Sequence, residues 1–258
     1  MKKPKILFMD IETAPTVAYV WSLYEPMVGL NQIKQDWYIL SFSAKWADSK
    51  TVIYHDQRNS KNLEDDKHLL EKIWKLLDEA DIVVTHNGVK FDNKKINARF
   101  VMHGLKPPSS FKNIDTLKIA KAKFAFTSNK LEYLTNKLCT KYKKLKVKKY
   151  QGFELWRECM KGNKEAWKEM ARYNKQDVLA LEELYHILLP WDNSVNFQLY
   201  SEELVCKCGN KKFIKKGFTF TTTGKYQKYR CTSCGSEKRG RENLLTLKQK
   251  KSLLVPIK

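Results

Sequence analysis

Residues 81–104 read DIVVTHNGVKFDNKKINARFVMHG, and this stretch decides the fold. DIVVTH is short, apolar and β-branched, as a buried strand is. NGVKFD offers a tight turn at Gly88 and a residue, Phe91, expected to anchor in the core. NKKINARFVMHG then reads as a helix, stopped by Gly104 and the pair Pro107–Pro108. A strand that feeds a helix through a tight turn points to an α/β core. Upstream, KILFMDIE (5–12) reads as a buried strand whose last residues turn acidic, and WYILSFSAKW (37–46) and TVIYHD (51–56) add strands with hairpin character. DDKHLLEKIWKLLDEA (65–80) places Leu69, Leu70, Ile73, Trp74 and Leu77 on one side of an amphipathic helix. Further helices are expected over IDTLKIAKAKF (114–124), over SNKLEYLTNKL (128–138) with a capping box at Asn129 and Glu132, and from about Glu165 to Leu189, before Pro190.

The chain has 258 residues, enough for one sizeable core and a smaller appendage. No apolar run approaches the ~18 residues of a membrane span, and Asp10 ends the N-terminal apolar run too early for a signal peptide. The formal net charge of +21 calls for a polyanionic partner, most simply nucleic acid; a lysine-rich solvated surface or an anionic membrane gives the same sign. Cys139 and Cys159 stand alone, whereas Cys206, Cys208, Cys231 and Cys234 form two tight pairs that suggest metal rather than disulfides.

Three stretches carry acids that chemistry can use. On an extended strand Asp10 and Glu12 point to the same face, and carboxylates that close are unfavourable unless a cation neutralises them. Asp92 closes HNGVKFD. In the last helix Trp167, Met170, Ala171, Asn174, Val178, Leu181 and Leu188 form the core stripe, and Tyr173 and Asp177 lie one turn apart along its edge. A phenol there can orient a water, and the carboxylate can hold a metal. Taken singly, each has an ordinary reading, as a strand end or a surface pair.

Their order is more informative. DIET (10–13), HNGVKFD (86–92) and YNKQD (173–177) resemble the three motifs of the DEDD exonuclease superfamily, whose fold is ribonuclease H-like. Tyr173, four residues before Asp177, resembles the tyrosine subclass, found also in the proofreading domain of family B DNA polymerases; the position used by the histidine subclass holds Arg172. The intervening blocks look like phage and bacterial exonucleases, and the resemblance covers roughly residues 5–190. It implies a mixed sheet flanked by helices, and Asp10, Glu12, Asp92 and Asp177 as ligands of two Mg²⁺ or Mn²⁺ ions ~3.5–4 Å apart. It further implies Tyr173 as a water-orienting group, and 3′→5′ hydrolysis of single-stranded DNA, or of duplex 3′ ends, to nucleoside 5′-monophosphates in a bacterial or phage-infected cytoplasm. An exoribonuclease and a catalytically silent binding adaptor are the alternatives. His86 is expected to be structural.

KYKKLKVKKY (141–150) packs Lys141, Lys143, Lys144, Lys146, Lys148 and Lys149 around Tyr142 and ends in Tyr150. It is either a solvated loop or a surface that tracks a phosphate backbone. Residues 201–240 resemble a zinc ribbon, a small β module with one structural Zn²⁺ on Cys206, Cys208, Cys231 and Cys234. The first pair is one residue tighter than the usual C-x-x-C, and disulfides or free thiols are the alternative. Residues 201–258 carry 15 Lys and Arg against 4 Glu, a formal +11, interleaved with aromatic residues. Phe218, Phe220, Tyr226, Tyr229 and Arg230 therefore suit strand capture, with docking to a replication or repair protein as the rival. The expected organisation is a ribonuclease H-like domain over 1–200, the ribbon over 201–240 and a basic tail over 241–258.

Overall fold

In the computed structural model the chain is described at residues 3–22, 24, 27–145 and 149–256. It divides into two compact units, Pro4–Leu188 and a second built mainly of Leu189–Lys258. No helix among the described residues is long and apolar enough to cross a membrane.

The first unit opens with β1 (Ile6–Thr13), followed by a short pair, β2 (Val17–Ala18) and β3 (Ile33–Gln35), then β4 (Ile39–Trp46) and β5 (Ile53–Asp56). Helix α1 (Lys67–Glu79), β6 (Ile82–Thr85), α2 (Asp92–Met102), β7 (Lys112–Asp115), α3 (Thr116–Lys123), α4 (Leu131–Leu138), α5 (Glu154–Met160) and α6 (Lys164–Leu188) follow. Five strands form one mixed sheet in the order β5-β4-β1-β6-β7. β4 is antiparallel to β1 and β5, while β1, β6 and β7 run parallel. This is the mixed, helix-flanked α/β architecture expected for a ribonuclease H-like chain.

The period-two alternation of β1 sends its residues to two different layers. Leu7, Met9 and Ile11 join Phe42, Leu70, Ile73, Ile96 and Phe100 in one buried cluster, which packs the sheet against α1 and α2. Phe8 points the other way and meets the edge of Tyr185 on α6, with ring centroids 5.4 Å apart. Asp10 and Glu12 share that second face. A buried ion pair ties the first layer together: Asp66, fully buried just before α1, accepts from the Ile39 amide (2.8 Å) and from Arg99 Nε (2.9 Å) and Nη2 (2.7 Å) on α2.

Four local expectations change. Phe91 does not anchor in the core: it is 39% exposed, with Lys95 over its ring. IDTLKIAKAKF is not helical from its start, because Ile114 and Asp115 end strand β7 and the helix begins at Thr116. The capping box at Asn129 and Glu132 does not form: α4 begins at Leu131 with Lys130 in the capping position and no side-chain cap. The last helix, Lys164–Leu188, meets its expected span within one residue, but Tyr173 and Asp177 lie inside its buried face rather than along its edge, and Ala171 is half-buried.

In the second unit β8 (Phe213–Thr221), β9 (Gly224–Cys231) and β10 (Glu237–Arg239) form an antiparallel sheet in the order β10-β9-β8, followed by the short helix α7 (Leu247–Ser252). The four cysteines sit on two turns beside this sheet. Gly209 and Gly235 follow the two pairs with φ of 86° and 73°, values that admit glycine readily, and their amides close the turns onto the Cys206 (2.8 Å) and Cys231 (3.1 Å) carbonyls.

Candidate active site

The parallel register of β1 and β6 ends at Phe8↔Val84. Beyond it, the Ile11 amide donates to Asp92 Oδ1 (3.2 Å), so the first residue of α2 is fastened to the same stretch of β1 that carries Asp10 and Glu12. From α6, Asp177 completes the group: one carboxylate oxygen each of Asp10, Glu12 and Asp177 lie within 4.8 Å of one another. Asp92 and Asp177 are buried, as is Tyr173, one turn before Asp177. All five residues anticipated from the sequence are thus brought to the end of the sheet where β1 and β6 stop.

Burial and mutual repulsion make these acids reluctant to ionise. Burial, then the Glu12, Asp92 and Asp177 carboxylates, hold Asp10 well above the usual range. Burial, with Asp177 behind it, pushes Glu12 up to about 8. Asp92 is raised to about 6, mainly by burial and against the Ile11 amide. Burial also raises Asp177, opposed by Lys144 and by the Tyr173 hydroxyl. Lys144 supplies a cation inside the group: its Nζ is bonded to Asp177 Oδ2 and lies 4.6 Å from the Tyr173 ring centroid. Burial favours its neutral form, but Asp177, Tyr173 and Asp10 outweigh it and hold the ammonium charged. Asp177 Oδ1 remains buried with no hydrogen-bond partner among the described residues.

Three supporting roles escaped sequence reasoning. Asn174 donates to Asp10 Oδ2 (2.7 Å) and accepts from Ser41 (3.3 Å), and its signal was a polar side chain on an apolar stripe. Trp156 on α5 donates through Nε1 to Glu12 Oε2 (3.1 Å) and meets Tyr173 edge-on at 5.8 Å; its sequence context carried no signal. With Thr13, Trp37, Lys95 and Phe153, Trp156 also lines a cavity of about 490 Å³ beside Glu12. Asp115, at the end of β7, accepts from the Asn87 (2.8 Å) and Val89 (3.4 Å) amides and caps α3 through the Leu117 amide (3.0 Å). It thereby shapes the turn that presents Asp92. The tightness of that turn comes from Gly88, where a Cβ would lie 2.4 Å from Thr85 Cβ. His86 is bonded to Thr116 Oγ1 (2.9 Å) and the Asn129 carbonyl (3.0 Å), and burial lowers its pKa.

The lysine-rich segment divides. Lys144 turns into the carboxylates, Lys141 lies against the Tyr142 ring (4.9 Å) and Lys149 against the Tyr150 ring (5.5 Å). The Lys143 carbonyl accepts from Gln176 (2.9 Å), and Lys146 and Lys148 lie outside the described residues. In the second unit, Cys206, Cys208, Cys231 and Cys234 converge, with Sγ–Sγ distances of 3.5 Å (Cys206–Cys234) and 3.7 Å (Cys208–Cys231). Although burial opposes it, hydrogen bonds from the Cys234 amide and Asn210 lower the Cys231 thiol to about 6. Phe218 and Phe220 are exposed on β8, with Lys225 over the Phe218 ring at 4.1 Å. On β9, Tyr226 lies under Arg239 (4.2 Å), Tyr229 pairs with Lys215 and Lys238, and Arg230 with Ile214 and Glu237.

Over 81 residues the chain is 40% identical to the PolC-type DNA polymerase III of Ureaplasma parvum serovar 3 (strain ATCC 700970), a match covering 31% of this chain and 5% of that protein. In structure it is similar to the family B DNA polymerase of the hyperthermophilic archaeon Pyrobaculum calidifontis, with a TM-score of 0.48, 12% identity, and coverage of 85% of this chain and 31% of that one. The chain therefore spans a minor part of the length of both polymerases. Residues 7–189, which hold the five-stranded sheet and every acid of the cluster, match the description of the RNase H superfamily, and the chain belongs to that family.

Proposed function

We propose that this chain is a metal-dependent 3′→5′ exonuclease that hydrolyses single-stranded DNA, or the 3′ ends of duplex DNA, to nucleoside 5′-monophosphates. The observation that carries the reading is the convergence of Asp10, Glu12 and Asp177, with Asp92 fastened beside them and Tyr173 one turn from Asp177. Membership of the RNase H superfamily and the 40% identity to a PolC-type polymerase over 81 residues support it.

The donor set fits hard divalent cations. Four carboxyl groups gather with one lysine among them, more acids than the lysine can pair, and Asp177 Oδ1 is buried without a partner among the described residues. Oxygen ligands of this kind favour Mg²⁺ or Mn²⁺. Asp10, Glu12, Asp92 and Asp177 would hold the ions, which when bound lower the pKa of water and stabilise charge on the departing oxygen. The protein's own groups do the rest. Asn174 and Trp156 fix the orientation of Asp10 and Glu12, and the Ile11 amide fixes Asp92. Burial keeps the Tyr173 phenol protonated, so it can donate to or orient a water. Lys144 offsets part of the negative charge and competes with any cation for Asp177.

In the second unit we assign one structural Zn²⁺ to the four cysteines. Tetrahedral Zn–S bonds of ~2.3 Å set sulfurs ~3.8 Å apart, close to the 3.5 and 3.7 Å present. With four protein ligands such a site supports the fold, and its basic surroundings suit strand binding.

The test is a time course on matched 3′- and 5′-labelled DNA and RNA strands, with Mg²⁺, with Mn²⁺ and without either. A ladder from the 5′-labelled strand with immediate mononucleotide release from the 3′-labelled strand is expected, and Asp177→Ala abolishes both. Preferential RNA cleavage would replace the substrate; no cleavage with either metal would leave a binding adaptor.

A further inference from the structure

The second unit contains a cavity of about 770 Å³, lined by the 192–204 segment, by β9 and β10 and by the residues after β10. Its wall is strongly positive. Lys207, Lys238, Arg239 and Arg241 all line it, and Asp192 is the one acid among the lining residues. The Asp192 carboxylate is taken by the amide (2.9 Å) and hydroxyl (2.7 Å) of Ser194. Three of the cations have neutral hydrogen-bond or ring partners: Lys207 donates to the Asp192 carbonyl, with the Asp192 carboxylate also favouring its charge against burial, Lys238 donates to Asn196 Oδ1 (3.3 Å), and Arg239 lies over the Tyr226 ring. The ion pairs of this unit among the described residues, Lys211–Glu203 and Lys228–Glu237, involve none of the four.

Four cations against one acid on a concave wall, none of them in an ion pair among the described residues, focus positive potential, and the complement they lack is an anion. The same wall presents Tyr226 and Tyr229, so the ligand has flat apolar faces as well as negative charge. A chain of phosphates carrying unpaired bases has both. An acidic peptide has only the first, and a paired duplex hides the second. The volume lies within the ~300–1,000 Å³ range of small-ligand pockets, which suits a short piece of strand rather than a folded domain.

We propose that this cavity is a binding site for single-stranded nucleic acid, in which Lys207, Lys238, Arg239 and Arg241 take phosphates and Tyr226 and Tyr229 stack on bases. The site differs from the β8 surface of Phe218 and Phe220, which do not line the cavity. Its choice of partner rests on the nucleic-acid reading above, but not on catalysis.

The experiment is fluorescence anisotropy of a labelled single-stranded oligonucleotide on the full-length Asp177→Asn protein, across a salt series. A Lys238→Ala/Arg241→Ala variant is expected to bind at least tenfold more weakly, with the slope of log affinity against log salt reduced by about 1.4, since each neutralised phosphate contributes ~0.7 on a single strand. Lys248→Ala/Lys250→Ala removes the same charge from α7 and is expected to change affinity less than threefold. Tyr226→Leu is expected to weaken binding with the slope unchanged. Equal losses in the two charge variants would mean diffuse attraction and overturn the site, as would unchanged affinity in the cavity variant. Displacement of the strand by polyglutamate as readily as by unlabelled oligonucleotide would also overturn it, in favour of an acidic protein partner. Should the double variant lose its metal, the single Lys238→Gln and Arg241→Gln variants decide. Failure of the nuclease reading shows separately, as wild-type protein that binds the strand and never shortens it.

Discussion

Replacing Gly88 by alanine tests how the fold places Asp92. The added Cβ would lie 2.2 Å from Thr85 Oγ1, 2.4 Å from Thr85 Cβ and 2.7 Å from Thr85 Cγ2, where ordinary contact needs 3.4–4 Å. Rotating Thr85 about χ1 brings no relief, because its Cβ does not move. Thr85 is itself fully buried on β6, where it pairs with Asp115 of β7. The 86–91 turn must therefore back away by about 1 Å, the shortfall at Thr85 Cβ, and Asp92 moves with it. Overpacking of this kind costs ~1–3 kcal/mol, and at roughly 2–4 °C per kcal/mol for a domain of this size the melting point of the first unit falls by about 2–12 °C. A ~1 Å misplacement of a reacting group costs on the order of 10²-fold in rate. Thermal unfolding and kcat on a single strand measure the two effects separately. Thr85→Gly/Gly88→Ala reopens the space and is expected to recover much of the lost kcat, whereas Thr85→Ala/Gly88→Ala, which keeps the Cβ, is not. Unchanged melting and kcat in Gly88→Ala would refute the reasoning. A lowered melting point with unchanged kcat would show that the turn yields without carrying Asp92.

Trp156→Phe keeps a ring against Tyr173 but removes the donor to Glu12; a hydrogen bond to a charged group is worth ~1.5–3 kcal/mol, so kcat is expected to fall about tenfold or more and Mn²⁺ affinity, read by titration calorimetry, to fall with it, while the melting point stays within a few degrees. Without Mg²⁺ or Mn²⁺, the first unit is expected to lose stability as pH rises from about 4.5 to above 8: Glu12 (about 8) and Asp92 (about 6) have folded pKa values raised above their unfolded ones, so the folded state holds protons the unfolded state releases and is penalised once they leave. The effect is on the order of a few kcal/mol. Glu12→Gln or added Mn²⁺ should flatten the melting-point profile, and a profile already flat in the metal-free wild type would contradict it. Cys231→Ser is expected to reduce bound zinc from one equivalent to well below one, by metal analysis, and to abolish the protected amides of β8 and β9 in hydrogen exchange while those of β1 persist.

Elements that bury a regular pattern were legible. The apolar run in KILFMDIE and the 3.6-residue stripe of 164–188 are direct imprints of the layers they pack against, so β1 and α6 stand within a residue of where the sequence puts them. β7 was not legible, because KNID has no apolar run: only Ile114 and Asp115 are buried, and the strand exists by pairing with β6 at the edge of the sheet. Helix α5 is too short for periodicity to speak, although it carries Trp156 to Glu12. Lys144 was legible as charge but not as direction. Nothing in a run of lysines says which one turns inward; that is set by packing, with Glu183 gripping the amides of Thr140, Lys141 and Tyr142 just before it.

The position of an acid in this fold does not by itself distinguish a ligand from a piece of scaffold. β1, β6 and β7 run parallel, and their carboxyl ends lead to Glu12, to the turn before Asp92, and to Asp115. Open α/β sheets gather their chemistry at that end, so Asp115 looks as promising as Asp92. Hydrogen bonding separates them. The Asp115 carboxylate accepts from three backbone amides, which leaves it engaged in holding the turn and the start of α3. Asp92 accepts from the Ile11 amide and its own, neither of which holds the turn, and Asp177 keeps a buried oxygen with no partner among the described residues. A buried carboxylate oxygen left without a donor is costly. A bound cation would supply the partner it lacks, and Lys144 beside it shows that this end of the sheet accommodates positive charge.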